Sequence, residues 1–98
     1  MRILPKTIKF QWDQGNIHKN LIKHNVTTQE AEEIFTRKSF LTSKDIKHSS
    51  DTEQRYHGLG QTKNGRKLQV AFTLRREKVR IISVRGMDRK EKKQYEEA

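Results

Sequence analysis

The sequence contains no cysteine, so neither a disulfide nor a thiolate metal site can stabilise the fold or carry its chemistry. Hydrophobic residues make up only 31% of its 98 residues and aromatics 7%, which fits one domain with a thin core. No apolar run approaches the ~18 residues of a membrane span, and no apolar segment follows the N-terminus as a signal peptide would require. A soluble, cytoplasmic chain is expected. No P-loop, dinucleotide fingerprint or nucleophile elbow is present, since Gly58-Leu59-Gly60 lacks a downstream Gly and a helix. The histidines at 18, 24, 48 and 57 have neither metal-ligand spacing nor a nearby acidic cluster. Neither a metal nor a cofactor is expected.

What the chain has in excess is positive charge. The net charge is +10, and its distribution is uneven. From Lys63 to Lys93, twelve Lys or Arg residues stand against Glu77, Asp88 and Glu91, a net of +9. Solubility does not require such concentration. A basic patch of this kind suits a nucleic acid or an acidic protein partner.

Periodicity predicts the order β-α-α-β-β-β-β-α. Ile8, Phe10 and Trp12 alternate with polar residues as in a half-buried strand. Asp13 reads as the N-cap of a helix with Ile17, Leu21 and His24 on one face, ending at Asn25. Thr27 to Glu30 fits a capping box for a second helix from Thr28 to about Arg37, burying Ala31, Ile34 and Phe35. A short strand at Phe40–Leu41 precedes an exposed loop from Thr42 to Thr52. Strands follow over Glu53–Gln61, Leu68–Leu74 and Lys78–Arg85, joined by Lys63-Asn64-Gly65 and Arg76-Glu77. Asp88, with Glu91 three residues on, caps a last helix ending near Glu97. Hairpin-linked strands after two helices indicate α+β with an antiparallel sheet.

On a regular strand Glu53, Arg55 and His57 share a face. A carboxylate, a guanidinium and an imidazole projecting together are the parts of a phosphodiester-cleaving site. A base takes the 2′-hydroxyl proton, an acid protonates the leaving 5′-oxygen, and cations hold the crowded phosphate. A Glu–Arg pair on a strand is also a common surface ion pair of little worth. Arg80 and Arg85 pose a parity problem, because residues five apart on a regular strand face opposite ways. A bulge can realign them, or Arg85 can lie past the strand end, where Gly86 lets the chain turn. Alternatively, one arginine serves a phosphate and the other pairs with a helix carboxylate.

Phe10-Gln11-Trp12-Asp13, followed by Lys19-Asn20-Leu21-Ile22-Lys23-His24-Asn25-Val26, resembles the F-x-W-D…K-N-x-x-K-H-G-V opening of the BrnT family. These are toxins of type II toxin–antitoxin pairs. The similarity continues through Glu53-x-Arg55, Gly60, Gly65-Arg66-x-Leu68, Phe72-Thr73, Arg80-Ile81-Ile82-Ser83-Val84-Arg85, Glu91 and Tyr95. Asn25 stands where the family has Gly, Val84 where Ala is common, and Gly86-Met87 where a basic residue and Ala are usual.

The resemblance implies a compact RelE-like fold and a metal-independent endoribonuclease that inhibits translation. It also implies neutralisation by a BrnA-like antitoxin with a ribbon-helix-helix DNA-binding region, as a heterotetramer on operator DNA. Arg80 and Arg85 are then expected to stabilise the phosphate and Arg55 to position it. Glu53 is the expected proton acceptor, with His57 or Tyr95 as acid. Lys44 and Lys47, with Arg66, Arg75 and Tyr95, are the candidate RNA contacts. The competing reading is a non-catalytic RNA- or partner-binding module of the same fold, which would bind RNA in a salt-dependent way without cutting it.

Overall fold

The computed structural model describes residues 8–98. The expectation about a signal peptide bears on residues 1–7 and lies outside that range. The elements are β1 (Lys9–Trp12), α1 (Gln14–His24), α2 (Thr28–Phe35), β2 (Leu41–Lys44), β3 (Arg55–Gln61), β4 (Lys67–Arg75), β5 (Lys78–Gly86) and α3 (Arg89–Glu97). Their order is the one periodicity predicts. No described helix is long and apolar enough to cross a membrane.

The helix ends follow local chemistry. The Asp13 carboxylate accepts from the amides of Gly15 and Asn16, and Asn25 ends α1 in the left-handed conformation at φ 53°. Full capping boxes close the starts of α2, at Thr27 and Glu30, and of α3, at Asp88 and Glu91. Helix α2 stops at Phe35, short of the expected Arg37, and its C-cap Thr36 donates through Oγ1 to the carbonyl of Glu33.

The five strands form one sheet in the order β1-β5-β4-β3-β2. Every pairing is antiparallel except β1 with β5, which run parallel. The departure from a wholly antiparallel sheet is topological. β1 is the first described element and is separated from β5 by two helices and three strands, so no hairpin sets its direction. Strand β3 begins at Arg55 rather than Glu53, because Glu53 and Gln54 are held in a turn. The amide of Ser50 donates to the carbonyl of Glu53 at 2.8 Å, and Gln54 Nε2 donates to the carbonyl of Ser50 at 2.9 Å.

One face of the sheet carries the core. Leu68, Val70 and Phe72 of β4 and Val79, Ile81 and Val84 of β5 pack with Val26, Ala31, Ile34 and Phe35. Phe35 meets Phe10 and Phe72 edge-on, with ring centroids at 5.3 and 5.1 Å. Full burial of a side chain such as Phe72 contributes roughly 1.5–3 kcal/mol, which matters in so lean a core. Gly60 lets α2 approach β3, since a Cβ there would come within 2.7 Å of Ile34 Cβ.

Helix α1 departs from its expected face. Leu21 is 46% exposed, and the buried residue is Asn20, at 2%. The reason lies in β5. Ser83 pairs with Ala71 but Ile81 pairs with Phe72, so Ile82 is an extra residue in a β-bulge. The side chain of Asn20 accepts from the amide of Val84 at 3.2 Å, inside the core. Burying a polar side chain here thus satisfies a backbone donor next to the bulge.

Candidate active site

The bulge resolves the parity of the two arginines. Ile81 and Val84 both point into the core, so Arg80, Ser83 and Arg85 all lie on the opposite face. On that face the register forms rows across the strands. Lys9, Lys78 and Arg75 form the first, and Gln11, Arg80, Thr73 and Arg55 the second. Ser83, Ala71, His57 and Ser43 form the third, and Arg85, Gln69, Leu59 and Leu41 the fourth.

The second row is the centre of the site. Arg55 and Arg80 flank Thr73, two strand spacings apart, or about 10 Å between Cα atoms. Both are half-buried, and neither guanidinium has a hydrogen-bond or ion-pair partner among the described residues. Thr73 between them is fully buried, and its hydroxyl has no partner either. The Thr73 hydroxyl is a buried polar atom without a partner, and the two unpaired guanidiniums in its row give this part of the sheet the charge to hold an anion.

His57 is in register with Ala71 in the next row, and its imidazole faces a carboxylate. Asp45 Oδ2 lies 3.1 Å from His57 Nε2 and 2.8 Å from His48 Nδ1. With Nε2 turned to the carboxylate, His57 keeps Nδ1 for a substrate. Asp45 is 7% exposed and held in place by its backbone, whose amide donates to the carbonyl of Arg55 at 2.7 Å. Burial pushes the Asp45 carboxyl up, but hydrogen bonds from the His48 ring and amide, with the charges of His57 and His48, bring it below its ordinary 3.8.

A carboxylate lowered on folding stabilises the fold above its ordinary value and loses that effect as pH falls through the lowered one. Asp45→Asn is therefore expected to lower the melting temperature near neutral pH. The difference from wild type should shrink below about pH 4 in melts across a pH series. A difference that grows on acidification would contradict this linkage.

The other expected residues are dispersed. Glu53 stands at the rim, where Oε2 accepts from Arg75 Nε and Nη2 at 2.8 and 2.5 Å. Arg85 shares the face of Arg80, but its guanidinium is gripped by the carboxylate of Glu91 at 2.7 and 3.0 Å. The Glu91 hydrogen bond raises the Arg85 pKa, outweighing partial burial. Of the alternatives drawn from parity, the bulge and the pairing with a helix carboxylate both occur.

Tyr95 donates to Ser39 Oγ at 2.8 Å, and with the Arg85–Glu91 and Lys67–Glu96 pairs it ties α3 across the fourth row. Lys44 is in register with Tyr56, whose ring stacks on Phe72, so Lys44 projects to the core side of the sheet edge. Lys47 sits exposed in the turn between Asp45 and His48. Arg66 lies away from the rows. It donates to the carbonyls of His24 and Asn25 at the end of α1 and to Glu30.

Asp45 and Thr73 are the site residues that sequence reasoning misses. Asp45 falls in a segment that reads as a polar loop, and only the Asp-x-x-His spacing to His48 hints at a pair. Thr73 carries no local signal, since its place between two arginines is a matter of register.

The family model for BrnT, the ribonuclease toxin of a type II toxin–antitoxin system, matches residues 12–91. No curated protein matches the chain. Among solved structures, the crystal structure of the Brucella abortus ribonuclease toxin BrnT is similar, with a TM-score of 0.61 and 20% identity. That likeness covers 85% of this chain and 100% of the Brucella chain, and it is a likeness of fold. The matched span includes Thr73, Arg55, Arg80, His57 and Asp45, and the chain belongs to the BrnT family of ribonuclease toxins of type II toxin–antitoxin systems.

Proposed function

We propose that this protein is an endoribonuclease that cuts RNA without a metal ion, and that the sheet face carrying Arg55, Thr73 and Arg80 is its active site. The observation that carries this reading is the pair of guanidiniums, Arg55 and Arg80, that have no partner among the described residues and flank a buried hydroxyl likewise unpaired there. A phosphodiester seated there has its non-bridging oxygens between two guanidiniums, the arrangement that stabilises charge building up on phosphorus.

The chemistry follows from the neighbours. Glu53 accepts the proton of the 2′-hydroxyl, whose oxygen attacks phosphorus. The bond to the 5′-oxygen breaks, and His57 Nδ1 delivers the proton that the leaving oxygen needs. The products are a 2′,3′-cyclic phosphate and a free 5′-hydroxyl. Asp45 orients the ring through Nε2 and compensates the charge His57 carries before the transfer. Arg75 holds Glu53 at the rim, and Arg85 with Glu91 anchors α3 as the wall of the site.

In this reading, RNA cleavage inhibits translation, and a BrnA-like antitoxin with a ribbon-helix-helix region neutralises the toxin as a heterotetramer on operator DNA. What supports the antitoxin is family membership.

The test is incubation of purified protein with RNA in a chelator, with analysis of the product ends. Fragments bearing 2′,3′-cyclic phosphate are expected, and their yield should fall about 10²-fold or more in His57→Ala. Salt-dependent RNA binding with no cut products would instead favour the non-catalytic binding module.

A further inference from the structure

The row beyond the proposed active site is also cationic, and among the described residues only its Arg75 has a counter-charge. Lys78 is in register with Lys9 on one side and Arg75 on the other, all on the face of Arg80. Like charges placed directly opposite repel. Glu53 compensates Arg75. Lys9, Lys78 and the adjacent Arg76 have no acidic partner among the described residues and are exposed.

The turn between β4 and β5 adds a second, independent sign. Arg76 and Glu77 are both left-handed, at φ 47° and 67°, in a two-residue hairpin that Asn-Gly would form without strain. Backbone strain that persists at a charged position points to a use for the side chain held there. Beside this turn lies a depression of ≈ 600 Å³ lined by Gln11, Thr52, Leu74, Arg75, Arg76 and Lys78. Gln11 belongs to the row of Arg80, so the depression continues the proposed active site along β5 and β1.

We propose that this end of the sheet is a second phosphate subsite, taking the RNA phosphodiester next to the one being cut. Lys78 and Arg76 are its cations, and Gln11, beside Arg80 on the edge strand, lines its border. The inference rests on the proposed ribonuclease reading of the neighbouring row. Lys78 and Arg80 are two strand residues apart, about 6.6 Å, a step comparable to that between successive phosphates of an extended single strand. The adjoining row proposed to hold the scissile phosphate is what favours RNA over an acidic protein segment.

The test compares wild type with the double variant Arg76→Gln/Lys78→Gln on two substrates. One is a diribonucleotide with a single phosphodiester, and the other an oligoribonucleotide extended at both ends. The variant should raise KM for the long substrate about 10-fold and leave kcat within about 2-fold. Two lost contacts should flatten its dependence of log KM on log salt by about 1.4. The diribonucleotide should show no change.

Binding of a 2′-O-methyl oligonucleotide, which cannot be cut, separates the two readings. If wild type binds it but cuts no RNA, the ribonuclease reading fails, while a weaker affinity of the variant still supports the subsite. Equal effects on both substrates, or none on either, would overturn the subsite. So would a variant that loses only antitoxin affinity. A wild type that binds no RNA would overturn both.

Discussion

Arg80→Ala lowers kcat for RNA cleavage by about 10²–10³-fold while leaving the melting temperature unchanged or slightly higher. The first half follows from the role proposed for Arg80. A donor aimed at charge that develops in the transition state is worth about 3–4 kcal/mol. The second half follows from its surroundings, since the Arg80 guanidinium has no partner among the described residues and stands in a cationic face. Removing it breaks no hydrogen bond or ion pair among the described residues and relieves repulsion, which offsets the packing lost with its stem. Arg80→Lys should recover part of the rate, because it restores the charge without the planar fork. The contrast with Arg85→Ala is informative. That change breaks the bidentate pair with Glu91 and loosens α3, so it should lower stability by up to about 1 kcal/mol with a smaller loss of rate. Steady-state kinetics and thermal melts on the two variants check both statements. Equal rates for Arg80→Ala and wild type would remove Arg80 from the site.

Asn20→Ala should have the largest effect on the fold as a whole. The substitution removes the acceptor of the buried Val84 amide, 3.2 Å from Asn20 Oδ1, and leaves a small void in its place. An orphaned buried donor costs about 1–3 kcal/mol. In a domain of this size a loss of about 2 kcal/mol lowers the melting temperature by roughly 8–16 °C. Cleavage should fall further than the unfolded fraction explains, because the bulge at Ile82 is what puts Arg80 and Arg85 on one face. Asn20→Asp keeps an acceptor oxygen, and the atom it replaces, Nδ2, has no partner. This second variant should retain the rate of the folded protein while losing stability to a buried carboxyl group. A melt and a single-turnover rate for each variant decide the matter. A wild-type rate per folded molecule in Asn20→Ala would show that the bulge does not need Asn20.

These two residues also mark what could be read from the sequence. The caps at Asp13, Asn25, Thr27 and Asp88 were legible because capping is settled within a few residues of chain. So were the core positions Ala31, Ile34 and Phe35, where spacing on one helix suffices. The family was legible as well, because its motifs run through most of the chain. Asn20 was not. Periodicity assigned the buried face of α1 to Leu21, since an apolar residue at that spacing ordinarily faces the core. A bulge on a strand 64 residues away overrode it. The parallel pairing of β1 with β5, the place of Thr73 between Arg55 and Arg80, and the approach of Asp45 to His57 are likewise products of register between distant segments. The reading of Arg55 and His57 on one strand face agrees with the register, whereas Glu53 precedes the strand. Arg80 joins that face only through pairing, and nothing local distinguished Arg85 and Arg66. Their guanidiniums are engaged by Glu91 and Glu30.

The central claim is that one phosphate sits between Arg55 and Arg80 over Thr73. A crystal structure of the protein with a 2′-O-methyl oligoribonucleotide tests it most directly. The account predicts a phosphodiester within hydrogen-bond distance of both guanidiniums, above Thr73, with His57 Nδ1 facing its 5′-oxygen. An oligonucleotide bound elsewhere, for instance along Arg66, Lys67 and Lys92 on the rim near Gly86, with Arg55 and Arg80 untouched, would contradict it.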